Sequence, residues 1–169
     1  INEMSDSGIK SFYKFEDGKK KFYDVNSKKY INVPSSENHY ILDAFRENKQ
    51  ILRNPECTVH DIGDGVMCIE FQTKGNSIGE GIAKGINEAI DIAERDGWNG
   101  IVIGNNDKQF SVGANLMNMG MMAMQKNFDE IEKFLVGFQK ILMRMRTCNI
   151  PVVSATHGFV MGGGLEVSI

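Results

Sequence analysis

The stretch PVVSATHGFVMGGGLE, residues 151–166, sets the tightest limits on what this chain can become. A short β-branched run leads into three successive glycines, and Leu165 and Glu166 follow directly. Glycine loses more backbone entropy on folding than any other residue, so such a run belongs where a β-carbon cannot be accommodated. If GGGLEVS begins a helix, Gly163 lies in its first turn, where amide protons lack intrahelical partners. The positive end of the helix dipole adds to them. Such a place suits an anion, or an oxygen that becomes anionic during a reaction. Glu166 then shares a helical face with Gly163, about 4.5 Å farther along the axis. A carboxylate there can move protons at an adjacent carbon. On spacing alone two plainer readings stay open: close packing of strand on helix for the triplet, and a first-turn acid favoured by the dipole for Glu166. The stretch has neither the Lys-Ser/Thr ending of a P-loop nor a G-x-G-x-x-G pattern.

The segments before it place this motif in an α/β class, in the order β-β-α-β-α-β-loop-α. CTVHDIGDGVMCIEF (57–71) reads as two strands joined by a tight GDG turn. QTKGNSIGEG (72–81) is a loop, and apolar residues at 82, 83, 86, 89, 90 and 93 form a helical stripe that stops at Gly97. GIVIGNN (100–106) is a short buried strand that feeds the glycine-punctuated loop DKQFSVGAN (107–115). LMNMGMMAMQKN carries Met117, Met119, Met121, Met122 and Met124. FDEIEKFLVGFQKILMRMRT (128–147) is a second amphipathic helix, halted before Pro151, and PVVSAT is another buried strand.

Ahead of this core, residues 1–33 hold three short aromatic-rich runs separated by DGKK and NSKK. They predict a small β-meander whose apolar surface comes mostly from Phe12, Phe15, Phe22, Tyr23 and Tyr30. SSENHYILDAFRENKQIL (35–52) reads as a helix capped by Ser35 or Ser36, with Ile41, Leu42 and Phe45 on one face. Arg53-Asn54-Pro55 then breaks the chain. The expected division is residues 1–53, meander and helix, against residues 54–169.

Charge narrows the function classes. A net charge of −3 with 24% charged residues offers neither a nucleic-acid footprint nor a polybasic membrane patch. No apolar run spans a bilayer and no signal-peptide core opens the chain, so the expected location is cytoplasmic without membrane insertion. Cys57, Cys68 and Cys148 match no disulfide framework or zinc pattern, and His39, His60 and His157 lack ligand spacing. No metal is expected. Ile1 is not an initiator methionine and GLEVSI stops inside an apolar stretch, which together predict a fragment of a longer protein.

FSVGAN (110–115) and PVVSATHGFVMGGGLE together resemble the crotonase (enoyl-CoA hydratase/isomerase) superfamily. Its members carry F-S-x-G-A-D and, after an intervening helix, P-V-(I/V)-A-x-x-x-G-x-x-x-G-G-G-x-E. The resemblance covers about residues 57–169 and implies a truncated crotonase-like ββα spiral core with the meander-plus-helix appendage. It further implies that the amides of Ala114 and Gly163 form an oxyanion hole for an acyl-CoA thioester carbonyl. Glu166 would be the first of the two glutamates that hydratases use as acid and base. QTKGNS matches the loop that helps hold the CoA nucleotide. Lys74, Gly75, Asn76, Ser111, Val112, Gly113, Asn115 and Gly162 are thereby implied as substrate-binding residues.

Asn115 stands where aspartate is usual, His157 where many members have asparagine, and the second glutamate lies on a segment this chain does not contain. SFYKF and its surroundings look similar to the tail of the 3-hydroxyacyl-CoA dehydrogenase region in bacterial fusions. The resemblance thus implies a bifunctional fatty-acid β-oxidation enzyme whose crotonase domain hydrates trans-2-enoyl-CoA, a homo-oligomer with acyl-CoA as substrate. NAD would belong only to the absent dehydrogenase region, and no cofactor is expected here. Isomerase or thioester hydrolase activity in the same superfamily, or a non-catalytic acyl-CoA-binding module, are the alternatives. The methionine stretch reads either as tunnel lining for acyl chains or as ordinary helix packing.

Overall fold

The computed structural model describes residues 8–16, 19–34, 41, 42, 45 and 49–169. They fall into two compact units, residues 1–48 and residues 49–169.

The first unit contains the expected meander: β1 (Tyr13–Glu16), β2 (Lys19–Asp24) and β3 (Lys29–Asn32), in antiparallel order β1-β2-β3. Phe22 faces Tyr13 on one side and Ile31 on the other, and Tyr23 faces Tyr30. The NSKK turn is held by the Asp24 carboxylate, which accepts the N–H groups of Asn26 (3.3 Å) and Ser27 (2.9 Å). Asp17 and Gly18 of the other turn lie outside the described residues. Of the five expected aromatics only Tyr23 is buried, while Phe12 and Phe15 are each 43% exposed. Much of their contact is lateral: Tyr23 meets Tyr30 edge-on at 5.6 Å, and the Lys20 ammonium sits 4.3 Å from the Tyr13 ring centre.

The helix expected over residues 35–52 falls mostly outside the described residues, and its end is corrected. Gln50–Arg53 form a strand, β4, paired antiparallel with β5 (Cys57–Gly63). Ile51 and Leu52 continue an apparently helical spacing, but the open edge of β5 supplies a partner that overrides it. Arg53-Asn54-Pro55 is therefore a turn inside the second unit and not a boundary between units. Asn54 builds that turn: its Oδ1 accepts the N–H of Glu56 and of Cys57, and its Nδ2 donates to the Gly81 carbonyl at 2.8 Å.

The second unit continues with β6 (Val66–Phe71), a 3-10 turn (Lys74–Asn76), α1 (Glu80–Asp96) and β7 (Gly100–Ile103). There follow α2 (Leu116–Met124), α3 (Phe128–Thr147), β8 (Val152–Ser154) and the short α4 (Gly163–Glu166). The sheet order is β4-β5-β6-β7-β8, antiparallel through β6 and parallel from β6 to β8. Asp64 and Gly65 in the GDG turn both take positive φ, +54° and +72°, the geometry that lets a hairpin turn tightly. Ile82, Ile86, Ala89, Ile90 and Ala93 of α1 are buried as the stripe predicts, and left-handed Gly97 ends the helix with its N–H on the Ala93 carbonyl. They share one core with Val59, Met67, Ile69, Phe71, Ile101 and Ile103 from the sheet and Phe138 and Ile141 from α3.

β8 departs from expectation. It is read as a buried strand, yet only Val152 packs on the core, while Val153, on the opposite face of the sheet, is 57% exposed. The cysteines behave as packing thiols: burial pushes the Cys57 thiol up to about 11 and the Cys68 thiol up to about 12, and neither pairs in a disulfide.

What positions the site is the parallel pairing. β7 and β8 run side by side in the same direction, Ile101 beside Val152 and Ile103 beside Ser154. Both helical crossovers return the chain to the same end of the sheet, so the loops after β7 and β8 leave from neighbouring strand ends.

Candidate active site

Those two loops are zipped together before they diverge. Phe110 donates its N–H to the His157 carbonyl (2.9 Å), Ser111 to Phe159 (3.1 Å), and Met161 returns a bond to Ser111 (3.0 Å). The His157 ring adds a side-chain tie, Nε2 to the Asp107 carbonyl at 2.8 Å. Histidine at this position thus pins one loop to the other. Phe110, wholly buried, anchors its loop in the core.

Beyond the zip the backbone takes conformations only glycine accepts readily. Gly113 has φ +92° and Gly162 has φ +45°. A β-carbon on Gly113 would lie 2.7 Å from the Met161 carbonyl oxygen and 3.1 Å from the Gly163 nitrogen. One on Gly163 would lie 3.4 Å from the Ala114 nitrogen, and one on Gly164 would collide with the Ser111 β-carbon at 2.7 Å. Two glycines of the triplet have a steric reason, a left-handed turn at 162 and seating on Ser111 at 164, while a β-carbon at 163 would make ordinary contact with Ala114.

Among the described residues, three N–H groups of this crossing have no partner, those of Ala114, Gly162 and Gly163, and the first and last come close together. Ile78 clamps both sides of Ala114, donating to the Gly113 carbonyl (2.8 Å) and accepting from Asn115 (3.0 Å), and so turns the Ala114 N–H away from the bridge. The neighbouring amides of Gly113, Asn115, Gly164 and Leu165 all donate. Among the described residues, Ala114 and Gly163 donate to nothing. Standard backbone dimensions put their nitrogens within about 6 Å of each other, a span that one oxygen can bridge. The helix dipole adds little here, because α4 is only four residues long. The two oriented N–H groups carry the electrostatics themselves.

Glu166 ends α4, exposed and without a hydrogen bond or ion pair from its side chain among the described residues. It lines a groove of about 540 Å³ between α3, β8 and the residues that follow α4, with Gln139, Met143, Arg146, Ser154 and Ile169 among its neighbours. It is the sole acid in that lining.

The residues read as substrate-binding separate into two groups. Lys74 and Val112 are exposed, and Gly75 joins their loops by accepting the Val112 N–H at 3.1 Å. Asn76 and Ser111 are 2% and 0% exposed, and their side chains are spent inside the protein. Asn76 Nδ2 donates to the Gln109 carbonyl and Ser111 Oγ donates to the Asn76 carbonyl. These two hold the loops and do not face a ligand. Asn115 caps α2, its Oδ1 accepting the Asn118 N–H, a task that amide and carboxylate perform alike. No residue of α2 is buried, and Leu116, Met117 and Met124 are 74%, 77% and 86% exposed. Packing accounts for half-buried Met119 and Met122 but not for these three side chains.

Phe138 is a residue the motifs do not announce. Its ring lies 3.4 Å from where a Gly163 β-carbon would sit, flooring the crossing. The only sequence signal for it is its place on the apolar stripe of α3.

The profile of the enoyl-CoA hydratase/isomerase family matches residues 61–169. The chain belongs to that family. A Bacillus subtilis (strain 168) protein described as "Probable 3-hydroxyacyl-CoA dehydrogenase" is 35% identical over 170 residues, which is 100% of this chain and 21% of that protein. The mitochondrial enoyl-CoA hydratase of Pongo abelii is 30% identical over 95 residues, covering 56% of this chain and 31% of that enzyme. The chain thus spans about a fifth of the length of the Bacillus relative. Crystal structures of an enoyl-CoA hydratase from Polaromonas sp. JS666 (TM-score 0.61, 19% identity) and of one from Geobacillus kaustophilus HTA426 (0.59, 22%) superpose on 66% and 69% of the chain. Each aligns over 44% of its own length. These likenesses establish a crotonase-like fold for the second unit.

Proposed function

We propose that residues 49–169 belong to a domain that hydrates trans-2-enoyl-CoA, within a fatty-acid β-oxidation enzyme that also carries a 3-hydroxyacyl-CoA dehydrogenase region. The observation that carries this reading is the pair of unpartnered amides, Ala114 and Gly163, at the crossing of two loops whose sequences match the family motif. A thioester carbonyl oxygen placed between them gains two donors as negative charge develops on it. Water then adds across the double bond: its oxygen bonds to the β-carbon, electrons move through the α-carbon onto the thioester oxygen, and a proton reaches the α-carbon as the enolate collapses. Glu166 serves as one acid/base group in this sequence, and the resemblance puts the second carboxylate beyond residue 169. The addition is redox-neutral and draws on no NAD.

Exposed Lys74 beside Gly75 and Val112 is the reading's site for the CoA nucleotide. The exposed apolar face of α2 (Leu116, Met117, Met121, Met124) lines the path of the acyl chain. Residues 1–48 are read as the tail of the dehydrogenase region, supported by the Bacillus relative's similarity over the whole chain. A cytoplasmic homo-oligomer completes the proposal; exposed Phe128, Leu135, Val136 and Met143 on α3 support an interface between copies. Among the described residues no helix is long and apolar enough to cross a membrane.

The test follows the whole protein with a short trans-2-enoyl-CoA in deuterated water. Hydration predicts loss of the conjugated thioester absorbance and one deuteron at the α-carbon of the 3-hydroxyacyl product. Migration of the double bond without water uptake, or release of free CoA, would replace the hydratase reading with an isomerase or a thioester hydrolase.

A further inference from the structure

We infer that Ser111 is a positioning residue that aims the Ala114 N–H at the substrate oxygen. The inference rests on the reading of Ala114 and Gly163 as the oxyanion hole. The Ser111 side chain is wholly buried, so it does not meet a ligand. Its hydroxyl donates to the Asn76 carbonyl at 2.7 Å and accepts the Gly113 N–H at 3.0 Å. Its main chain donates to Phe159 at 3.1 Å and accepts from Met161 at 3.0 Å. One residue ties together the turn at 74–76, its own loop and the glycine loop.

The bond to Gly113 is the decisive one. The plane between Gly113 and Ala114 carries two groups, the Gly113 carbonyl and the Ala114 N–H, and a peptide plane turns as a unit. Ile78 holds its carbonyl at 2.8 Å, and Ser111 holds the preceding N–H at 3.0 Å. With Gly113 at φ +92° between two fixed points, the Ala114 N–H has a set direction. On the opposite side Gly164 rests against the Ser111 β-carbon, so the same side chain also sets the height of the loop bearing Gly163. Only a small residue that both donates and accepts meets these demands. Alanine does neither.

The experiment compares the whole wild-type protein with Ser111→Ala, using hydration kinetics and the ultraviolet band of a bound arylacryloyl-CoA. Hydrogen bonds to the thioester carbonyl move that band to longer wavelength. Ser111→Ala should lower kcat by roughly 10- to 10²-fold, less than removal of a donor, with KM nearly unchanged. It should also lose most of the red shift while still binding the ester. In a Gly163→Pro background the same change should add little, because the hole is already broken. A full red shift with wild-type kcat, or a rise in KM alone, would overturn the inference.

Should Ser111→Ala fail to fold, amide exchange in the wild type decides. Protection at Gly113, with Ala114 exchanging until an acyl-CoA binds, supports the role, and a freely exchanging Gly113 refutes it. A red shift present in the wild type and lost in Ser111→Ala supports the positioning role even where no hydration is seen, and that combination overturns the hydratase reading alone.

Discussion

Glu166→Gln in the whole protein should cut kcat for enoyl-CoA hydration by roughly 10²–10⁴-fold, the range for loss of one acid/base group. The amide keeps the size of the carboxylate but can neither take nor give the proton. Glu166 is exposed and its side chain has no partner among the described residues, so the exchange removes no structural bond. Its backbone N–H still donates to the Gly162 carbonyl at 3.1 Å. KM and the melting temperature should therefore stay close to wild type. Steady-state kinetics beside a thermal melt check this, and turnover near the wild-type rate would remove Glu166 from the chemistry.

Gly163→Pro should lower kcat/KM by at least the roughly 10²–10³-fold typical of one lost oxyanion donor. Proline has no N–H, and its ring places carbon where that hydrogen points. Position 163 is the first residue of α4, a place proline accepts in helices, so the lesion falls mainly on the hole. Gly163→Ala is the control. Its β-carbon meets Ala114 N and Phe138 only at 3.4 Å, and the donor remains, so its loss should be the smaller of the two. Equal losses for both variants would show that shape around residue 163, and not its N–H, governs the rate.

The parts of this site legible in the sequence are those where chemistry restricts the residue type. Gly113, Gly162 and Gly164 can be read in advance because a positive φ or a close approach there disfavours a β-carbon, whereas the space at 163 leaves ordinary contact distance. The α1 stripe and its stop at Gly97 are legible because burial and capping leave a period and a glycine behind. β4 was not legible: four residues with a helical-looking neighbour become a strand only because the β5 edge accepts them. The motif marks the positions of Ser111 and Asn76 but not the direction of their side chains, which are buried and hydrogen-bonded inside the protein. The unusual exposure of α2 was equally hidden, since a methionine-rich helix has the same composition whether its apolar face is covered or open.

The most direct measurement is a crystal structure of the whole protein with a non-reacting acyl-CoA bound. The thioester oxygen is expected at about 2.7–3.1 Å from the nitrogens of both Ala114 and Gly163, with the Glu166 carboxylate beside the α- and β-carbons. A thioester bound with its oxygen away from these two amides, while both loops keep their crossing, would contradict the oxyanion-hole assignment.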